Sequence, residues 1–230
     1  MKDPAAACGR RPRLLDLFCG EGGASMGYNL AGFEVVGVDA KPMRRYPFAF
    51  HQADALAYLD GLESHWFDVI HASPPCQRYS ALNNGTWGNA SGHPDLIAPV
   101  RELLEATGLP YIIENVPGAP LLNPQLLCGS MFGLEIGEGA LRRHRLFETN
   151  FAWDAPLHPD HHGPTLGVYG HGRGGGPMRG RTANADQARR IMEMPWASRD
   201  GCSQAIPPAF TRYIGEQLAT DLAYDRLVSA

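Results

Sequence analysis

Three positions in this sequence combine a reactive side chain with a setting that could put it to use. Cys76 stands in Pro74-Pro75-Cys76-Gln77, directly after the apolar run Phe67 to His71. Each proline fixes its own φ and disfavours helix in the residue before it, so the thiol is held at the carboxyl end of a short strand. In an open α/β sheet that edge is where ligands bind. A thiolate held there is a nucleophile, whereas a buried structural thiol is the plainer alternative. Glu114 follows a second apolar strand, Tyr111-Ile112-Ile113. Partial desolvation at that strand end would raise its pKa toward that of a useful acid, unless it serves only as a cap. Asp39 ends a third apolar strand, about 19 residues beyond Gly20, the offset at which a carboxylate accepts from ribose hydroxyls.

The elements that must position these groups follow in order. Arg13 to Phe18 is a buried strand, Cys19-Gly20-Glu21-Gly22-Gly23 a glycine loop, and a helix runs to about Ala31. This opens a nucleotide-binding βαβ unit, with glycines that let a ligand approach the backbone or simply form a tight turn. The second strand, Glu34 to Val38, delivers Asp39, and a third strand edge spans Phe50 to Leu56. Within it Asp54 is placed to accept from an adenine amino group, the alternative being a helix cap or a solvated turn. Two aspartates after successive strands favour a nucleoside pocket. His93 to Thr107 carries Leu96, Ile97, Val100, Leu103 and Leu104 on one helical face, with Gly108 as the stop. Leu126 to Phe132 and Arg145 to Glu148 read as further strands, Ala185 to Met192 as a short helix, and Pro207-Pro208 opens a terminal helix.

In combination and order these motifs resemble the DNA cytosine-C5 methyltransferases. Pro75-Cys76-Gln77 resembles the motif that carries the attacking thiol, and Glu114-Asn115-Val116 the motif whose carboxyl binds and protonates the cytosine ring at N3. Arg143 and Arg145 match two positions of Gln-x-Arg-x-Arg, with Leu141 in place of the glutamine. The resemblance implies a Rossmann-like α/β methyltransferase fold that binds S-adenosylmethionine. It implies Cys76, Glu114 and Arg143 as catalytic residues, and Pro75, Gln77, Asn115 and Arg145 as substrate contacts. Phe18, Gly20, Gly22, Gly23, Asp39, Asp54, Ala55, Gln204 and Ile206 would line the cofactor site, although the family more often has Asn where Gln204 stands. The polar loop Gln77 to Gly92 falls where the family closes a loop over a flipped base. Its length suits a functional or a mobile segment.

Bulk composition sets the frame. The 230 residues, 44% apolar and 19% charged, suit one globular α/β domain with a modest appendage. No apolar run reaches the length of a membrane span, and the N-terminus lacks the apolar core of a signal peptide. Five cysteines without a Cys-x-x-Cys argue against a disulfide framework, so a cytoplasmic, reducing location is expected. The net charge of −4 is uneven, since residues 142–190 hold eight Arg against four Asp and Glu. A locally basic segment on an acidic body can bind phosphate.

The expected organisation is a catalytic core over residues 1–148, a short recognition insert over 149–188, and C-terminal helices over 189–230 that return to the core. The insert is glycine-rich and offers Arg179 and Arg181 as donors to DNA, arginine's commonest base partner being guanine. Its His158-Pro159-Asp160-His161-His162 run has no thiol pair at ligand spacing, so solvated histidines and no metal are expected. The expected activity is methyl transfer to cytosine C5 in double-stranded DNA by a monomer. A tRNA cytosine methyltransferase and a catalytically silent nucleic-acid-binding relative are the rival readings.

Overall fold

A computed structural model describes residues 10–79, 94–169 and 180–228. Its centre is a seven-stranded sheet. Strand β1 (Arg13–Leu17) leads through the glycine loop into helix α1 (Gly23–Leu30), and β2 (Glu34–Asp39) is followed by β3 (Ala49–Gln52) and α2 (Ala55–Asp60). Then come β4 (Val69–Ala72), α3 (Ile97–Thr107), β5 (Tyr111–Asn115) and β6 (Gln125–Leu127). Two short strands, β7 (Glu135–Ile136) and β8 (Gly139–Ala140), precede β9 (Arg145–Thr149). The order across the sheet is β3-β2-β1-β4-β5-β9-β6, with the first five strands parallel and β9 antiparallel to both its neighbours.

Alternation along the strands divides the apolar residues between the two faces. Leu14, Val35, Val69 and Ile112 belong to one core, and Leu15, Val36, Ile70 and Ile113 to the other. Helices α2 and α3 pack on the second face. The first face is covered by α1 and by the C-terminal α6 (Pro208–Val228), which lies against α1. A Cβ on Gly27 would collide with the Thr211 side chain and the Pro208 carbonyl, so the two helices approach backbone to backbone.

A second sheet, β11-β10-β8-β7, adds β10 (Thr165–Gly167) and β11 (Gly180–Thr182) to the β7–β8 hairpin. It thus joins residues 135–140 to the segment read as the insert. Helices α4 (Ala185–Ile191) and α5 (Arg199–Gln204) connect it to α6. Among the described residues no helix is long and apolar enough to cross a membrane.

Several boundaries differ from the sequence reading for local reasons. Residues 125–132 are a three-residue strand followed by a 3-10 turn (Gly129–Phe132), because Gly129 packs under Leu141 and Gly133 takes a left-handed φ of 63°. The third strand ends at Gln52, because the Asp54 carboxylate accepts from Ala57 N at 2.9 Å and starts α2 there. Glu114 and Asn115 belong to β5 itself. Gly108 ends α3 in the left-handed conformation, as expected.

Candidate active site

The carboxyl ends of β4 and β5 and the start of β9 converge on one edge of the sheet. After β4 the chain turns through Ser73-Pro74-Pro75 to Cys76, with Tyr79 N donating to Cys76 O at 3.0 Å. Asn115, buried at the end of β5, donates from Nδ2 to Pro74 O at 2.9 Å. It thereby ties the proline turn to the neighbouring strand, so its contact is with the thiol's scaffold. Pro75 is exposed, and Cys76 and Gln77 are half-buried.

Beside this turn Glu114 is buried, and Arg145 Nε lies 3.0 Å from its Oε1. Burial raises the Glu114 carboxyl above the ordinary range, while Arg145, the Ser73 hydroxyl and Arg143 oppose that shift. Burial also raises the Cys76 thiol, and Arg145 and Arg143 pull it back down. Without a substrate the sulfur is therefore held as a thiol, with Arg145 and Arg143 favouring its anion and Glu114 opposing it. Behind Glu114 runs a buried chain of polar groups. Ser73 Oγ, which bonds Glu114, lies 2.9 Å from His71 Nε2, and His71 Nδ1 lies 3.0 Å from the Tyr28 hydroxyl on α1. His71 is fully buried, and its pKa is lowered to about 3 by that burial.

Arg143 is also buried, with its pKa lowered to about 9, chiefly by desolvation and then by Arg145. Its two terminal nitrogens donate to Val168 O at 2.7 Å and Ser203 O at 2.6 Å. It acts on Cys76 and Glu114 through its charge and at the same time fastens the chain after β10 and α5 to this sheet edge.

On the other side of the edge, Phe18 takes a left-handed φ of 58°, rare for a bulky residue and a form of strain that clusters at functional sites. Gly20 N donates to Asp39 Oδ2 at 3.1 Å and Lys41 N to Oδ1 at 3.0 Å. Asp39 is thus pinned, with a second lone pair on each oxygen for a ligand hydroxyl. Gly23 must be glycine, because a Cβ there would run into the Ile206 carbonyl and Ala205 Cβ. That contact brings two expected cofactor residues, Gly23 and Ile206, against each other. Asp54 is exposed and caps α2, Ala55 is buried at the start of that helix, and Gln204 is exposed at the end of α5. Arg179 and the loop from Ser80 to His93 lie outside the described residues, and Arg181 is placed only by its backbone in β11.

Several contributors escape a reading of the sequence. Asp16 is fully buried, accepts from the Ser25 hydroxyl, and has its pKa raised to about 7 by desolvation. Ser25 in turn lies 2.8 Å from the Tyr46 hydroxyl. Glu21, inside the glycine loop, accepts from Ser198 N at 2.6 Å and Ser198 Oγ at 2.7 Å, locking the loop to the start of α5. The only local signal for any of these is a polar residue inside an otherwise apolar or glycine-rich run.

The strand order, the glycine loop after β1 and the antiparallel β9 define a Rossmann-like methyltransferase fold. Solved structures share it. A DNA modification methyltransferase encoded within an E. coli prophage is similar over 92% of this chain and 99% of its own, at 15% identity and a TM-score of 0.62. The S. pombe Dnmt2 methyltransferase is similar over 93% and 99%, at 13% identity and a TM-score of 0.56. In sequence, residues 13–124 match the family described as C-5 cytosine-specific DNA methylase. The type II methyltransferase M.HgiDI of Herpetosiphon aurantiacus is 30% identical over 135 residues, which cover 54% of this chain and 43% of that protein. The type II methyltransferase M.AplI of Arthrospira platensis is 31% identical over 121 residues, covering 50% and 34%. The matched stretch thus spans less than half the length of these relatives. Over residues 13–124, just under half of its length, the chain is thus similar to the C-5 cytosine-specific DNA methylase family.

Proposed function

We propose that this chain transfers a methyl group from S-adenosylmethionine to C5 of cytosine in double-stranded DNA. The observation that carries the reading is the convergence of Cys76, Glu114 and Arg145 at one sheet edge, with the Arg145–Glu114 pair at 3.0 Å acting on the thiol.

The base must leave the duplex to be reached, at a cost of a few kcal/mol. Cys76 gives its proton to solvent as its sulfur bonds to C6, and Arg145 and Arg143 stabilise the developing thiolate. Glu114, held toward its protonated form, supplies a proton or hydrogen bond at N3, so the electron pair released at C6 collects on C5. Once C5 has bonded the methyl group, loss of its proton to solvent and expulsion of the Cys76 sulfur restore the aromatic ring.

The residues around the glycine loop suit S-adenosylmethionine. The α-carbon of Gly20 faces open space among the described residues, Asp39 keeps acceptor capacity, and Phe18 offers an apolar ring beside the loop. When bound there, that molecule supplies the electrophilic methyl group that C5 accepts. Asp39 would bind its ribose, and Asp54, Ala55, Gln204 and Ile206 complete the proposed pocket. Pro75, Gln77 and Asn115 are assigned to the base side, and Arg179 and Arg181 to the DNA backbone or a guanine edge.

Incubation with radiolabelled S-adenosylmethionine and either duplex DNA or tRNA tests this reading. Label in 5-methylcytosine of the duplex is expected. Label confined to tRNA would move the substrate, and cofactor binding without transfer to either would make the chain a silent relative.

A further inference from the structure

Away from this sheet edge, the fold gathers four metal-ligating side chains that are scattered along the sequence. Cys128 follows β6, His144 immediately precedes β9, and His158 and His161 lie on the loop between β9 and β10. One ligand atom from each of the four lies within 4.8 Å of all the others. We propose that Cys128, His144, His158 and His161 bind one structural zinc ion, which clamps the 150–164 loop to the segment that carries Arg143 and enters β9 at Arg145.

The distances favour this. A tetrahedral zinc site with Zn–N near 2.05 Å and Zn–S near 2.3 Å has edges of about 3.3 Å between nitrogens and about 3.6 Å from nitrogen to sulfur. His144 Nε2 lies 3.1 Å from His158 Nε2, and Cys128 Sγ lies 3.4 Å from His161 Nε2. The cluster is therefore already closed to nearly the span of one ion. The donor set is thiolate plus imidazole, the combination that suits zinc over magnesium or calcium. Four protein ligands leave no open position, which marks a structural site and not a catalytic one.

The surroundings support the same conclusion. Ser130 Oγ donates to Cys128 Sγ at 3.2 Å, the kind of outer contact that orients a metal-bound thiolate. The Arg142 guanidinium donates to the carbonyls of His162 at 2.7 Å and Gly163 at 2.6 Å, so the loop is already tied down beside the cluster. Binding would release the Cys128 thiol proton to solvent, and the metal would form one bond to sulfur and three to nitrogen.

This departs from the expectation of solvated histidines. That expectation rested on spacing along the chain, whereas the thiol arrives just after β6 and His144 just before β9. The consequence for the proposed active site is positional. His144 sits between Arg143 and Arg145, and Arg145 Nη1 donates to its carbonyl at 2.8 Å, so fixing its ring fixes the backbone from which both arginines project.

The test is metal content of the untagged full chain, purified without chelator and supplied with zinc, followed by replacement with cobalt. About one zinc per chain is expected. Cobalt should give the visible bands of a tetrahedral ion together with a thiolate-to-cobalt charge-transfer band. Cys128→Ser should abolish that band. His158→Ala, at an exposed position whose change leaves the core untouched, should lower zinc occupancy severalfold while the far-ultraviolet circular dichroism stays the same. Two results would overturn the proposal: a folded wild-type chain that retains no stoichiometric zinc, or zinc content unchanged in both His158→Ala and His161→Ala. None of these readouts depends on methyl transfer, so their failure is separable from failure of the proposed activity.

Discussion

Arg145 and Glu114 form an ion pair at 3.0 Å between the start of β9 and the end of β5, on strands adjacent in the sheet. Both members of the pair act on Cys76, with opposite signs. Arg145 is the largest influence opposing the rise of the thiol pKa caused by burial. Arg145→Ala should therefore raise that pKa and shift the pH for half-maximal alkylation of Cys76 by iodoacetamide upward. Turnover should fall on the order of a hundredfold or more, as for loss of a group that stabilises developing charge. Arg145→Lys should restore part of the alkylation shift. An unchanged alkylation profile in Arg145→Ala would remove this arginine from the thiol's environment.

Cys76→Ser should abolish turnover and leave S-adenosylmethionine binding unchanged by calorimetry, because the thiol is assigned to the base side of the sheet edge and not to the glycine loop. A serine variant with near-normal turnover would remove Cys76 as the nucleophile.

Asp39 has two duties, holding Gly20 N and Lys41 N and offering acceptors to a ligand. Asp39→Ala should weaken cofactor binding by roughly ten- to a hundredfold, corresponding to about 1.5–3 kcal/mol for loss of charged hydrogen bonds. DNA binding measured by anisotropy should change little. Intact cofactor affinity in this variant would place the nucleoside pocket elsewhere.

Two buried groups give stability opposite dependences on pH. Asp16 has its pKa raised from 3.8 to about 7 in the folded chain, so its contribution is full below pH 3.8 and is lost as pH rises through 7. His71 has its pKa lowered from 6.5 to about 3, so its contribution is present above pH 6.5 and is lost as pH falls toward 3. Between about pH 4 and 6.5 the two slopes offset each other. Asp16→Asn should make stability fall more steeply on acidification across that window, and His71→Asn should make it fall more steeply on alkalinisation. Urea midpoints measured at several pH values check both, and parallel curves for wild type and variants would contradict the assignment.

The parallel half of the sheet is legible in the sequence because each strand is a short apolar run that ends on a residue with another task. Asp39 ends β2, Glu114 lies one residue from the end of β5, and Cys76 follows β4 after the proline turn. The glycine loop is legible for the same reason, since Gly23 tolerates no side chain against Ile206. The second sheet is not legible, because strands of two or three residues such as β7, β8 and β10 carry no periodicity and exist only through long-range pairing. The roles of Asn115 as a tether for the proline turn and of Arg143 as a fastening for two backbone carbonyls are likewise set by tertiary contact. The cluster of Cys128 with three histidines is hidden for the same reason, as its members lie on separate elements.

The central claim is a covalent bond between Cys76 and C6 of a cytosine in DNA, and mass spectrometry of a trapped complex tests it most directly. A duplex containing 5-fluorocytosine can be methylated at C5 but cannot release its fluorine as a proton is released, so the adduct should persist. Incubated with S-adenosylmethionine, the wild-type chain should yield a peptide containing Cys76 joined to the methylated fluorocytosine, absent in Cys76→Ser. A trapped adduct at any other residue, or methylation of ordinary duplex DNA with no adduct on the fluorinated one, would contradict the account.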